Sequence, residues 1–369
     1  MHGEKREGLL LCFPSGVWWV RMERVSALKQ NKVNAPMGKG KDACFRFVHL
    51  YWVSLKIYIG SSFMKVNYYS VYWKVLILFL GFATPFVSCE ETAEVSARDA
   101  VEEIEIEFLL EINQRPEEAL TGSVFASSIE ALELAQREET IFSAIKQGNI
   151  PSFLRDLIPI ETNMTIADSS YSLTFFVVPD YLSIGSEDDH FLMPMTPILA
   201  QKVMDQLGGV LPTRKMVDLI WAASEVKLNP EPITPSDAMV TVGVFLDHNS
   251  IVETSRSMFM TEHPLGSLVS GHKKDVILSN RIASNPDKVV IYGWHYPNGD
   301  PIQPLYSGHI NWYADYSHGI RVVLNKCLLN DSVIELTQIL SDPILYRLIS
   351  DETGAMETTR YDTSRSNYP

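Results

Sequence analysis

The chain has 369 residues, 46% of them hydrophobic, and a formal net charge of −14 at pH 7. Residues 1–63 carry ten Lys or Arg against four Asp or Glu, whereas residues 89–369 carry 19 against 41. So acidic a body repels phosphate backbones and disfavours nucleic acid as a partner, while the length suffices for two domains or one large one with appendages.

The sharpest boundary lies at Met64. Lys65 and Lys74 precede an apolar run over residues 75–82, and Pro85 and Val87-Ser88-Cys89 follow, the order of a secretory signal peptide over residues 64–88. Phe86-Val87-Ser88-Cys89 is also similar to a bacterial lipoprotein box, so cleavage before Cys89 with lipid on its sulfur would tether the protein to a membrane. A cut without lipid would release it; either way the expected location is extracytoplasmic. Residues 1–63 are basic and tryptophan-rich without a sustained period, and are expected to be an over-extended start or a disordered presequence. Beyond Cys89 the body holds one cysteine, Cys327, expected to be a small buried hydrophobe.

Residues 89–158 are expected to be helical. Val101, Ile104, Phe108 and Ile112 recur near helical spacing until Pro116, and a second helix is predicted over 123–147, ending at Gly148. Residues 159–352 are expected to form a single domain. Its predicted strands cover 171–178, 182–185, 239–246, 289–292 and 319–324. Its predicted helices cover 198–207, with Thr196 as N-cap and Pro197 at the first position, then 214–223, 249–257, 332–340 and 343–348. The polar tail, 353–369, is expected to be disordered. The fold class is α+β: a mixed or antiparallel sheet with flanking helices, behind a helical N-terminal segment.

Four of the nine histidines fall between residues 272 and 318. They lie in GHKKD (271–275), just past the predicted strand 289–292, and at the start of 319–324, so loops at the ends of a rigid sheet would present them. His272, His295, His309 and His318 are expected to share acid–base work with Asp315, since imidazole titrates near neutrality and a carboxylate can orient it. Lys273, Lys274 and Arg321 suit an anionic group. Trp294, Trp312 and Tyr316 suit stacking on sugar rings. Ser317 beside His318 makes no Ser–His pair by adjacency, because neighbours on an extended chain point to opposite faces. The histidine spacings match no short metal-ligand motif, and no metal or cofactor is expected.

Ser317-His318-Gly319-Ile320-Arg321 resembles the SHGC-x-R signature of L,D-transpeptidases, but Ile320 stands where that family has its nucleophilic Cys, which removes the chemistry. Over residues 138–352 the body resembles a widespread family of uncharacterised bacterial proteins with export signals, on the blocks GNIPSFLR, VVPDYLSIGS, LPTRKMVD, GHKKDV, IYGWH, PIQPLY and DYSHGIR. That resemblance implies no activity. The functional expectation is therefore a hydrolase acting on a cell-envelope or extracellular polymer by His/Asp chemistry. The alternative is a non-catalytic envelope lipoprotein that binds a glycan or peptide.

Overall fold

The computed structural model describes residues 8–13, 16–21, 56–59, 62–63, 108–365 and 368. The chain divides into two compact units, Met1–Ala100 and Val101–Pro369. In the first, β1 (Gly8–Phe13), β2 (Gly16–Arg21), β3 (Lys56–Ile59) and β4 (Ser62–Phe63) pair in sequence order as an antiparallel sheet. The signal-peptide segment 64–88 and Cys89 lie outside the described residues.

The second unit begins with helices. One helix was expected over 123–147; the structure has two, α1 (Gly122–Ile129) and α2 (Leu134–Lys146). The break follows from phase. The buried stripe of α1, Phe125, Ala126 and Ile129, would continue onto Gln136 and Thr140, whereas the chain after the break buries Ile141 and Ile145.

β5 (Ile158–Ile166) and β6 (Ser169–Val177) then form a hairpin whose two turn residues, Ala167 and Asp168, both have positive φ, the geometry that matches strand twist. A second hairpin joins β7 (Ser183–Gly185) and β8 (His190–Leu192). α3 (Pro197–Leu207) starts where the side chain of Thr196 accepts from the Leu199 amide and ends on Gly208 at φ 67°. β9 (Gly209–Val210) follows, then α4 (Arg214–Ala223), capped by Thr213, and β10 (Val226–Lys227). Residues 239–246, expected as a strand, instead open a 16-residue helix, α5 (Val242–Ser257). Thr241 caps it, and packing of Val242, Phe245 and Val252 overrides the β-branched propensity.

The remaining elements are β11 (Val269–Ser270), β12 (Lys274–Val276), α6 (Arg281–Ser284), β13 (Ile291–His295), β14 (Pro301–Tyr306), β15 (His318–Gly319), β16 (Val323–Leu324), β17 (Lys326–Leu329), β18 (Ser332–Glu335) and α7 (Leu336–Ser341). One sheet runs β18-β17-β6-β16-β9 with β5 beside β6, and a second runs β14-β13-β12-β15. The unit is thus α+β, with antiparallel and mixed sheets. The predicted strand 319–324 is divided between them: β15 ends in the second sheet, β16 begins in the first, and Ile320 to Val322 bridges the two.

The tail after residue 352 is a correction. Met356 and Tyr361 are buried, and the Tyr361 hydroxyl donates to Ile277 O while accepting from the Val290 amide. A side chain that satisfies two buried backbone groups anchors its own segment. Among the described residues no helix is long and apolar enough to cross a membrane.

Candidate functional site

Everything polar in the second sheet is organised by β12, the strand of GHKKD. Gly271, at φ 101°, lets the chain turn into it: a Cβ there would meet Leu228 O at 2.2 Å. Lys274 stands opposite Gly293 of β13 on one side and His318 of β15 on the other. His295 and His318 therefore flank β12 and do not face each other across one edge. Successive side chains alternate, so Lys274 points away from the face shared by Lys273 and Asp275. The sheet separates the expected residues into distinct groups.

The first group centres on Asp315. Its Oδ2 accepts from Lys274 Nζ at 2.8 Å and from the Tyr313 hydroxyl at 3.1 Å. Its Oδ1 accepts from the Ser317 amide at 2.9 Å and the Ser317 hydroxyl at 2.6 Å, and lies 3.2 Å from His318 Nδ1. Burial alone would raise this carboxyl, but the His318 ring and the Lys274 ammonium hold it well below the usual carboxylate range. Asp315 and His318 are each 1% exposed. Burial lowers His318, against the pull of the Asp315 carboxylate beside it. The Asp315 amide also reaches Nδ1, at 3.0 Å. Whichever tautomer is present, Nε2 is buried without a partner. His309 joins this group from the rim, half-buried and stacked on Tyr313 with ring centres 4.1 Å apart.

The second group lies on the other face of β12. Lys273 Nζ donates to Tyr316 O at 2.5 Å and sits 3.0 Å from His248 Nδ1, on α5. Burial pushes the Lys273 ammonium down to about 7 and the His248 ring down to about 2, the nearby Lys273 charge adding to the latter. Asp275 accepts from the Tyr181 hydroxyl at 2.8 Å, and burial raises its carboxyl to about 6 against the pull of Arg321. Arg321 lies over the Tyr181 ring, 4.1 Å from its centre, and donates to the carbonyls of Val178 and Val269. His272 Nε2 is 3.0 Å from Asp180 Oδ1, but out of line for a hydrogen bond. Gly319 is required here by space: a Cβ would lie 2.6 Å from the Tyr181 ring and 2.7 Å from Lys273 Cβ.

The third group is His295 with α4. Asp218 Oδ1 accepts from the Tyr292 hydroxyl at 2.9 Å and lies 3.1 Å from His295 Nε2. The Asp218 side chain is 48% exposed, whereas that of His295 is 4% exposed.

Compared with family models, curated proteins and solved structures, the chain matches none. The chemistry must therefore be read from the groups themselves. Of the five residues expected to share acid–base work, the fold brings His309, Asp315 and His318 together and places His272 and His295 elsewhere. Trp294 and Tyr316 are buried, so they offer no stacking face to a sugar; Tyr296, Tyr306, Trp312 and Tyr313 are exposed or half-buried. Lys274 and Arg321, expected to hold an anion, are bound to Asp315 and to backbone carbonyls. Among the described residues, no three His, Cys, Asp or Glu side chains gather as a metal site would need. His248 lies in none of the sequence blocks, Asp218, Asp180 and Tyr181 lie in blocks that assign them no role, and all four are recruited from afar. Asp275 closes the GHKKD block but was given no role.

Proposed function

We propose that the protein is a hydrolase of cell-envelope or extracellular polymers, with Asp315 and His318 as its acid–base centre. One observation carries the reading. A buried imidazole has its Nδ1 held by a carboxylate that stays ionised, while Nε2 is left without a partner. In the tautomer that carries its proton on Nδ1, in place of the bond from the Asp315 amide, such a ring accepts a proton at Nε2 from an attacking water, and Asp315 stabilises the imidazolium that forms. Ser317 is not the nucleophile, since its hydroxyl proton is directed at Asp315 Oδ1. Tyr313, half-buried and bonded to Asp315 by its hydroxyl, joins this centre to the rim. The rings of His309, Tyr306 and Trp312 beside it suit a sugar.

Turnover of peptidoglycan and neutral or acidic polysaccharides should fall by roughly 10²–10⁴-fold in His318→Gln and in Asp315→Asn, with circular dichroism confirming the fold. Unchanged turnover in folded His318→Gln overturns the assignment.

The exposed Tyr306, packed against His309, favours a second reading, a non-catalytic protein that holds a glycan or peptide on this aromatic rim. In that case Tyr306→Ala weakens binding while His318→Gln leaves it intact. Export and the lipid tether at Cys89 belong to the same proposal and rest on the sequence of residues 64–89. N-terminal sequencing of the native protein tests them: a mature chain that begins upstream of Met64 would refute both.

A further inference from the structure

Three cations on these strands are able to hold an anion, and two are already committed, Lys274 to Asp315 and Arg321 to the carbonyls of Val178 and Val269. Lys273 remains. Two of its three N–H groups point at Tyr316 O and His248 Nδ1, and the third has no partner among the described residues. Donation into Nδ1 sets the tautomer of His248: the proton sits on Nε2. Although the backbone carbonyl of Glu231 acts on this ring, Nε2 makes no hydrogen bond.

A third donor is nearby. The rings of His248 and Trp294 are centred 6.4 Å apart, and that of Tyr316 lies 4.8 Å from the first and 6.1 Å from the second. Trp294 Nε1, donor only, is also buried and unpartnered. The indole is turned inward by an irregular backbone. Gly293 has φ 105° and Trp294 φ 59°, at a shift of register between β13 and β14. A bulge re-aims a side chain, and left-handed backbone at a bulky residue is costly unless the site requires it. The result is an ammonium and two ring N–H groups, all at most 8% exposed, with too few acceptors.

We propose that Lys273, His248 and Trp294 form a subsite for a carboxylate group of the substrate. A carboxylate supplies lone pairs for several N–H donors at once and the charge opposite to the ammonium. The charges acting on Lys273 are Asp315 and Asp180, which favour its protonated form, and Lys274, which opposes it. His248, His272 and Tyr316 complete its surroundings. Because burial brings the amine to about 7, and a carboxylate binds its protonated form, affinity declines as pH rises through neutrality. This rests on the proposed function only in naming a group that the substrate carries: the subsite lies on the face of β12 opposite Asp315 and His318, and its test reads binding and not turnover, so either can fail alone.

Two sources share the chemistry, an acidic sugar and a peptide C-terminus. Calorimetry on the full chain would compare glucuronate with glucose, and N-acetylalanine with its amide, at pH 6 and pH 8. One acid of the two should bind at least about tenfold more tightly than its neutral counterpart at pH 6, and roughly tenfold more weakly at pH 8. Trp294→Phe, which keeps an aromatic ring but removes the N–H together with the five-membered part of the indole, should weaken that acid several-fold, and Lys273→Met should abolish its binding. Equal binding of acids and neutral partners, no pH dependence, or an unchanged affinity in Trp294→Phe overturns the proposal. So does the absence of binding by all four compounds, which would leave only ordered water to satisfy these donors.

Discussion

Replacing Lys274 by Met removes an ammonium that sits 2.8 Å from Asp315 Oδ2 with 7% of its side chain exposed. The carboxylate left behind keeps Ser317, Tyr313 and His318 as donors. The cost is therefore at the lower end of the range for stranding one member of a buried pair, about 3 kcal/mol. Asp315→Asn strands the ammonium with fewer compensating groups and should cost nearer to about 5 kcal/mol. Removing both charges leaves nothing stranded, so the double variant should be more stable than the two losses added together, with a coupling of at least about 2 kcal/mol. Urea unfolding followed by circular dichroism, with the slopes required to agree, measures all three. The sign with pH is also set. Asp315 is depressed in the folded state, so its contribution is complete above the unfolded carboxylate value of about 3.9 and is lost only as pH falls below it. The Lys274→Met deficit should thus be equal at pH 5 and pH 8. Losses that add to within about 0.5 kcal/mol would refute a charge-paired centre.

Asp275 predicts the opposite slope. Its carboxyl is raised to about 6, so its favourable contribution is present below the unfolded value of about 3.9 and lost as pH climbs to 6. Asp275→Asn, which can still accept from Tyr181, should stabilise the protein by about 2–3 kcal/mol at pH 8 and by far less at pH 4; a gain independent of pH would contradict this. Gly319→Ala forces a methyl against the Tyr181 ring and Lys273 Cβ and should cost about 1–3 kcal/mol. A loss under about 0.5 kcal/mol in the same urea assay would mean the two elements separate freely.

What was legible in the sequence was local. The Thr196 cap and the helices predicted at 198–207 and 214–223 depend on neighbours within four positions, and each lies within a residue of where the pattern puts it. The β5–β6 hairpin was half visible, since the alternation of 158–166 is diluted by polar residues on its solvent face. Nothing local marks the crossing at Ile320 to Val322, because one apolar run serves two sheets. At the site, Asp315 and His318 are three residues apart and were legible as a pair. Their companions were not. His248 is 25 positions from Lys273, and Tyr181 is 94 from Asp275, distances that only the fold spans. Burial also reversed some expectations: Trp294 and Tyr316 looked like surfaces and are interior, since an aromatic residue has the same composition in either place.

Tyr361 has a consequence for the order in which the molecule is assembled. Its amide binds Gln201 Oε1, 160 positions earlier, and its hydroxyl joins Ile277 and Val290. Closing loops of that length costs entropy before any contact repays it, and folding rates fall as contacts become more distant in sequence. Refolding should therefore be slow, with the tail docking late. A protease cut anywhere in residues 353–360 would act on the kinetics of unfolding as a core lesion does, though it would break no bond inside the core.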